Sequence, residues 1–305
     1  MQVDLDDPNA WREALARNVG DAYARNPRVA AVLIAGSVSR GHADRFSDIE
    51  LMISWSDPPS EAERRAIVEP IAADLRIYPF DDEWECWQED VFVGRSSADA
   101  PSSGVLIESV GQLTAVIERR LADVVERHEP NLDKQTTIDA LLHGIPLHGE
   151  ALVSDWRAKA APYPRALAIA MVNRYGQIDY FADWRRFLAR GRNLLLIHER
   201  FTQVQRQLLL VLQALNGQYH SKFKWLDRTI SELVIAPLDL ANRLRFVQTA
   251  KIPEAAAELA SVVEEVYDLV AIHLREVDVK RLREVFRWER QPWDSPPPIG
   301  FPTLS

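Results

Sequence analysis

The chain has 305 residues, 47% of them hydrophobic and 27% charged, with a formal net charge of −9. That composition suits a globular protein with a core of ordinary size, and the acid excess gives no general attraction for a polyanion, so extended nucleic acid is excluded as the main partner while a local basic patch could still hold one nucleotide. A single cysteine, Cys86, rules out an intrachain disulfide or thiolate cluster and points to a reducing, cytoplasmic setting.

The acidic opening MQVDLDDPNAW has no apolar stretch of the signal-peptide kind, and no apolar run downstream reaches a membrane span. Residues 9 to 26 read as a helix capped by Asn9, with Trp11, Leu15, Val19 and Tyr23 at helical spacing. RVAAVLIAG reads as a buried strand ended by glycine, and DIELMISW as a second strand running into the turn-rich SDPPS. Residues 60 to 75 suit a helix with Ser60 and Glu63 as a capping box. LRIYPF, DVFVG and GVLIESV are three further strand candidates, and the pattern turns helical after Gly111.

From about residue 150 strand patterns stop. Amphipathic segments follow over roughly 164–189, 192–216, 221–234, 237–250 and 253–290, as in a helical bundle. LHGIPLHGE is the expected junction. The fold class expected is α+β: a mixed sheet flanked by helices over residues 1–150, an all-α domain over 151–290, and a Pro-rich tail over 291–305.

The stretch AGSVSRGHADRFSDIELMI concentrates the chemistry. Asp48 and Glu50 stand two residues apart in strand register, so both project from one face, with Ile49, Leu51 and Ile53 on the other. Adjacent carboxylates repel unless a cation lies between them, and oxygen ligands of this kind suit Mg2+ or Mn2+. Upstream, Gly36 allows close backbone approach, Ser37 offers a hydroxyl and an N–H to a phosphate oxygen, and Arg40 adds positive charge.

This stretch resembles the signature of the DNA polymerase β-like nucleotidyltransferase superfamily, in which an apolar strand, Gly-Ser, a loop and an Asp-apolar-Asp/Glu strand follow one another. Gly36, Ser37, Asp48 and Glu50 occupy the motif positions, and Arg40, Gly41 and Ser47 match its commoner form. The second acid is a glutamate where aspartate is commoner. Further along, GQYHSKFKWLDRTISEL and APLDLANRLRFV resemble the helical domain of two-domain bacterial members of the aminoglycoside and lincosamide type.

The resemblance implies a third acid on a later strand of the same sheet, as metal ligand or general base. Glu108 in GVLIESV is the candidate, with Ile107 and Ser109 facing away from it, and Asp81, Asp82 and Glu89 compete. Asp48, Glu50 and Glu108 would then be the catalytic, metal-holding set, and Gly36, Ser37, Arg40 and Lys224 the nucleotide-binding set. Lys222 and Lys224 open a helix where a lysine could reach phosphates, and Tyr219 could stack on a base. His143 and His148 flank GIP without carboxylates at ligand spacing and read as structural. Trp288 and Trp293 read as packing residues.

The implied activity is metal-dependent transfer of a nucleoside monophosphate, AMP from ATP foremost, to a hydroxyl of a small, possibly antibiotic-like acceptor. The acidic DDEWECWQED segment could favour a cationic acceptor. The rival readings are a protein- or RNA-directed member of toxin–antitoxin type and a nucleotide-binding protein without turnover.

Overall fold

The computed structural model describes residues 4, 6–94, 104–191 and 193–292. The chain divides into two compact units, Met1–Leu167 with Tyr219–Lys222, and Ala168–Gln218 with Phe223–Ser305. The tail from 293 onward, Trp293 included, lies outside the described residues.

The first unit is mixed α+β. Its first helix, α1, spans Pro8–Ala24. The cap is Asp7, whose side chain accepts from the Asn9 backbone N–H, and Pro8 takes the first turn, where a missing N–H costs nothing. Asn9, expected as the cap, instead accepts from the Ala43 N–H at 3.3 Å. Strand β1 (Val29–Ala35) leads through a four-residue helical turn, α2 (Gly36–Ser39), towards β2 (Ile49–Trp55). Helix α3 (Glu61–Val68) carries the Ser60–Glu63 capping box, both halves of which are made. It stops well short of residue 75, because residues from Asp74 onward pair as strand β3 (Asp74–Ile77).

Strand β4 (Trp87–Val93) begins earlier than DVFVG suggested, and β5 (Val105–Leu113) runs on through Gly111. A Cβ at Gly111 would stand 2.7 Å from the Trp55 indole nitrogen, so only glycine lets the strand pass that ring. Helices α4 (Thr114–Val125) and α5 (Leu132–His143) follow. Residues 145–148, expected as a junction, form a strand instead: β6 (Ile145–His148) pairs antiparallel with β1. Helix α6 (Glu150–Ala160) closes the unit.

The six strands lie in the order β3-β4-β5-β2-β1-β6. Every neighbouring pair is antiparallel except β2 and β5. One face packs Ile49, Leu51, Ile53, Trp55 and Ile107 into a core with Ala16, Val19 and Tyr23 of α1. Inside that core Glu89 is buried, ion-paired to Arg64, and accepts from the Tyr23 hydroxyl at 3.0 Å.

The second unit is all-α. Helix α7 (Arg165–Tyr175) starts at its edge, followed by α8 (Asp183–Ala189), α9 (Leu194–Leu215), α10 (Leu226–Ser231), α11 (Leu240–Thr249), α12 (Ile252–His273) and α13 (Val279–Arg287). The segment read as one helix over 253–290 is broken, because the Asp278 side chain caps a new helix by accepting from the Arg281 N–H. Its core joins Val204, Leu208 and Leu212 of α9 to Leu259, Val263 and Val266 of α12, with Phe181, Phe201 and Phe286 clustered together. Among the described residues no helix is long and apolar enough to cross a membrane.

Candidate active site

The sheet's second face carries the chemistry. Parallel pairing sets Glu50 of β2 directly against Glu108 of β5, and antiparallel pairing sets Glu108 against Asp90 of β4. Paired residues on neighbouring strands share a face, about 5 Å apart. Three carboxylates therefore stand in one lateral row, with Ala35 of β1 at one end and Arg76 of β3 at the other. Ile107 and Ser109 are fully buried on the opposite face, as the alternation around Glu108 requires. Asp48 ends the loop just before β2, rather than lying within it.

The row is electrostatically costly. Burial, then the charges of Glu50, Asp48 and Asp90, pushes the Glu108 carboxyl above its usual range, while Lys222 opposes the shift. A single amide partly offsets the crowding: Gln88 Nε2 donates to Asp90 Oδ1 at 3.1 Å and to Glu108 Oε1 at 3.0 Å. The Tyr78 hydroxyl donates to the other oxygen of Asp90 at 2.8 Å. Glu89, a rival for the third acid, faces the core with Arg64. Asp81, another, accepts from the backbone N–H groups of Glu83 and Trp84 and shapes a turn.

At the near end of the row Gly36 adopts φ +64, and a Cβ there would lie 2.6 Å from the Glu50 carboxylate. Glycine is thus required twice, by the left-handed backbone and by the acid lying against it. The loop down to Asp48 is pinned locally. Ser47 Oγ donates to Asp44 Oδ1 at 3.1 Å, and buried Arg12 donates from Nε to the Ser47 carbonyl at 2.9 Å. Ser37 is buried in the short turn. Arg40 lies in an ion pair with Asp139 at 2.5 Å, and His143 Nδ1 stands 3.1 Å from its guanidinium. The Asp139 hydrogen bond holds the His143 imidazole pKa above its ordinary value.

A cavity of about 620 Å³ opens over this face within the first unit. Glu50 and Glu108 form part of its wall; Tyr78, Phe80 and Trp84 line it with aromatic surface, and Gln112 and Arg120 stand farther along. Ser37, Arg40 and Asp48 are not among the described residues of that wall. The lysine lining it is Lys222, whereas Lys224 belongs to the second unit. Tyr219 does not present a ring for stacking: it is buried against Tyr163 and its hydroxyl donates to the Ala160 carbonyl at 3.0 Å. Cys86 is a buried free thiol on the cavity wall, its pKa raised by burial.

Asp90, Gln88, Tyr78 and Arg120 are site residues that the sequence reading passed over. Asp90 had a signal in DVFV, where the acid alternates with Val91. The other three had none, since only the pairing of strands and the packing of α4 bring them here.

Among the described residues no three His, Cys, Asp or Glu side chains converge on one metal-sized point. The row nonetheless fits a hard divalent cation held by two carboxylates. Mg2+ commonly takes one or two protein carboxylates and completes its shell with water and substrate phosphates.

No family model and no curated protein matches the chain. Among solved structures it is similar to a nucleotidyltransferase-like protein from Exiguobacterium sibiricum, at 12% identity over 88% of this chain and 81% of that one, with a TM-score of 0.39. It is also similar to the Cid1 poly(U) polymerase, at 10% identity over 59% of this chain and 51% of that one, TM-score 0.27. Cid1 bound to the UTP analog UMPNPP matches with the same identity and TM-score over 58% and 50%. The chain spans about half the length of the Cid1 chains. Similarity of this degree assigns no activity.

Proposed function

We propose that the protein is a nucleotidyltransferase that moves a nucleoside monophosphate, AMP from ATP foremost, to a hydroxyl of a small acceptor. The observation carrying this reading is the register that sets Glu50 against Glu108 beside the Gly36 turn, at the wall of a cavity large enough for a nucleotide. The signature resemblance over residues 35–53 supports it independently.

In this reading a pair of carboxylates, Glu50 with Asp48 or with Glu108, would hold Mg2+ or Mn2+. The ion would neutralise phosphate charge and favour ionisation of the acceptor hydroxyl. The chain's own groups do the rest. The backbone at Gly36 and Ser37 receives a phosphate oxygen, with no side chain intervening at Gly36. If Glu108 is not a ligand of the ion, its carboxyl, with a raised pKa, would accept the hydroxyl proton instead. The acceptor oxygen then bonds to the α-phosphorus as its bond to the pyrophosphate oxygen breaks, and pyrophosphate leaves. Tyr78 and Gln88 hold Asp90 and Glu108 in place, and the aromatic wall excludes water. The cavity's size suits a small acceptor, and the net charge of −9 disfavours an RNA one.

The test is incubation of the purified full chain with each of the four α-labelled nucleoside triphosphates, ATP first, with Mg2+ and a panel of hydroxyl compounds. Transfer of label with pyrophosphate release in the wild type, lost in Glu50→Gln and Glu108→Gln, is expected. No release with any of the four nucleotides and any acceptor would overturn the reading.

A further inference from the structure

Among the described residues three arginines are more than nine-tenths buried: Arg12, Arg64 and Arg120. Only Arg64 is ion-paired, with Glu89. Arg12 donates to the Ser47 and Pro8 carbonyls with Asp44 and Asp48 in its field. Arg120 is the one of the three that lines the cavity. Its hydrogen bonds go to neutral groups, to the Thr137 hydroxyl at 3.1 Å and the Trp84 carbonyl at 2.6 Å, and its Nε is buried without a partner. Glu85 and Asp133 act on it only through longer-range charge, and Arg119 already holds both Glu85 oxygens at 2.5 Å.

A buried guanidinium without an anion is expensive, and burial lowers its pKa accordingly. Two hydrogen bonds, both to neutral oxygens, leave three of its five N–H donors without an acceptor. The side chain lies on the cavity wall beside Gln112, Thr136 and Thr137. Gln112 Nε2 and Arg120 share the Trp84 carbonyl as acceptor, which places this end of the cavity. Gln112 is four residues beyond Glu108 on β5, about 13 Å away at strand rise. That backbone offset sets this end of the cavity apart from the carboxylate row.

We propose that the cavity end built around Arg120 binds an oxyanion of the acceptor, a carboxylate or a phosphate monoester, so that the acceptor is a hydroxyl-bearing acid rather than a polycation. The assignment of this anion to an acceptor rests on the nucleotidyl-transfer reading; the oxyanion site itself does not. Arg120 takes the charged group while the hydroxyl lies towards Glu108. The Thr137 hydroxyl, which accepts from the guanidinium at 3.1 Å, holds it in orientation. The cost of burying the cation is offset only when the ligand is present, which makes the charge a selector.

The test uses the full chain and two matched pairs of probes, gluconate against sorbitol and glucose 6-phosphate against glucose, in calorimetric titrations. The wild type is expected to bind at least one charged member about ten- to a hundredfold more tightly than its neutral partner, and the pair that shows it distinguishes carboxylate from phosphate. Arg120→Gln should erase that preference, and Arg120→Lys, which keeps the charge, should retain part of it. Binding of ATP with Mg2+, measured in the same variants, reports both folding and the carboxylate end, and should be unchanged. Equal binding of charged and neutral probes, no binding of any probe, or a preference that survives Arg120→Gln overturns the proposal. A wild type that shows the preference but binds no nucleotide upholds the oxyanion site and overturns only the nucleotidyl-transfer reading.

Discussion

Replacing Gly36 by alanine separates backbone strain from displacement of an acid. Gly36 has φ +64, where an L side chain costs about 1–2 kcal/mol, partly offset by the smaller entropy of the unfolded alanine chain. The net loss of about 1 kcal/mol corresponds to a fall in Tm of about 2–4 °C for a unit of this size. The added Cβ would also stand 2.6 Å from Cδ and Oε2 of Glu50. Those atoms are the far end of a flexible side chain, so the carboxylate swings aside at little further cost in stability. Its position changes by about an ångström, enough to reduce a positioned reaction by about 10²-fold. Gly41 supplies the control: it has φ +67, but a Cβ there would meet nothing within 4 Å. Gly41→Ala should therefore lower Tm as much as Gly36→Ala, yet leave Mg2+-dependent ATP binding and transfer intact. Thermal unfolding and calorimetric titration of ATP with and without Mg2+ measure both quantities. Equal nucleotide affinity and turnover in the two variants would refute the placement of Glu50 at the reacting centre.

Glu108→Gln and Glu50→Gln should each reduce transfer by at least about 10²-fold with little change in Tm, since both acids face the cavity and not the core; single-turnover kinetics and thermal melts together check this. Glu89→Gln should do the opposite, costing about 3–5 kcal/mol in chemical denaturation because it leaves Arg64 buried without its counter-charge. In the second unit, hydrogen bonds from Arg243 hold the Glu265 carboxyl below its usual range. A depressed folded pKa stabilises above the unfolded value of about 4.5 and the benefit disappears as pH falls through the folded value. Glu265→Gln should thus be less stable than the wild type near neutrality and converge with it in acid, as read by denaturation at a series of pH values.

Much of the site could be read along the chain because its residues are close in sequence. Gly36, Asp48 and Glu50 lie within one hairpin of β1 and β2, and the apolar alternation of Ile49, Leu51 and Ile53 already assigned the acids to the exposed face. Glu108 was recognisable as an acid inside an apolar strand. Glu89 and Asp90 show the limit. They are adjacent in the chain, yet one neutralises Arg64 in the core and the other joins the carboxylate row. Which of them faces the cavity depends on the register between β4 and β5, and a slip of one residue would exchange them. Likewise β6 passed for a linker because its four residues contain Pro146 and follow Gly144; pairing with β1 makes it a strand. For Arg40 the motif suggests phosphate contact, and the fold adds an ion pair with Asp139 of α5 that lies far away in the chain.

What the amino-acid order determined alone was local: helix caps such as Ser60 with Glu63, the turn at Gly36, the paired acids after it, and the change from alternating to helical periodicity near residue 150. Those features need only neighbouring atoms and backbone sterics. The order of six strands, the row linking Glu50 to Glu108 and Asp90, and the seat of Arg120 beside a neutral carbonyl were decided by the tertiary structure. They depend on contacts between segments far apart in the chain, whose alignment is set by how the whole sheet and its helices exclude water.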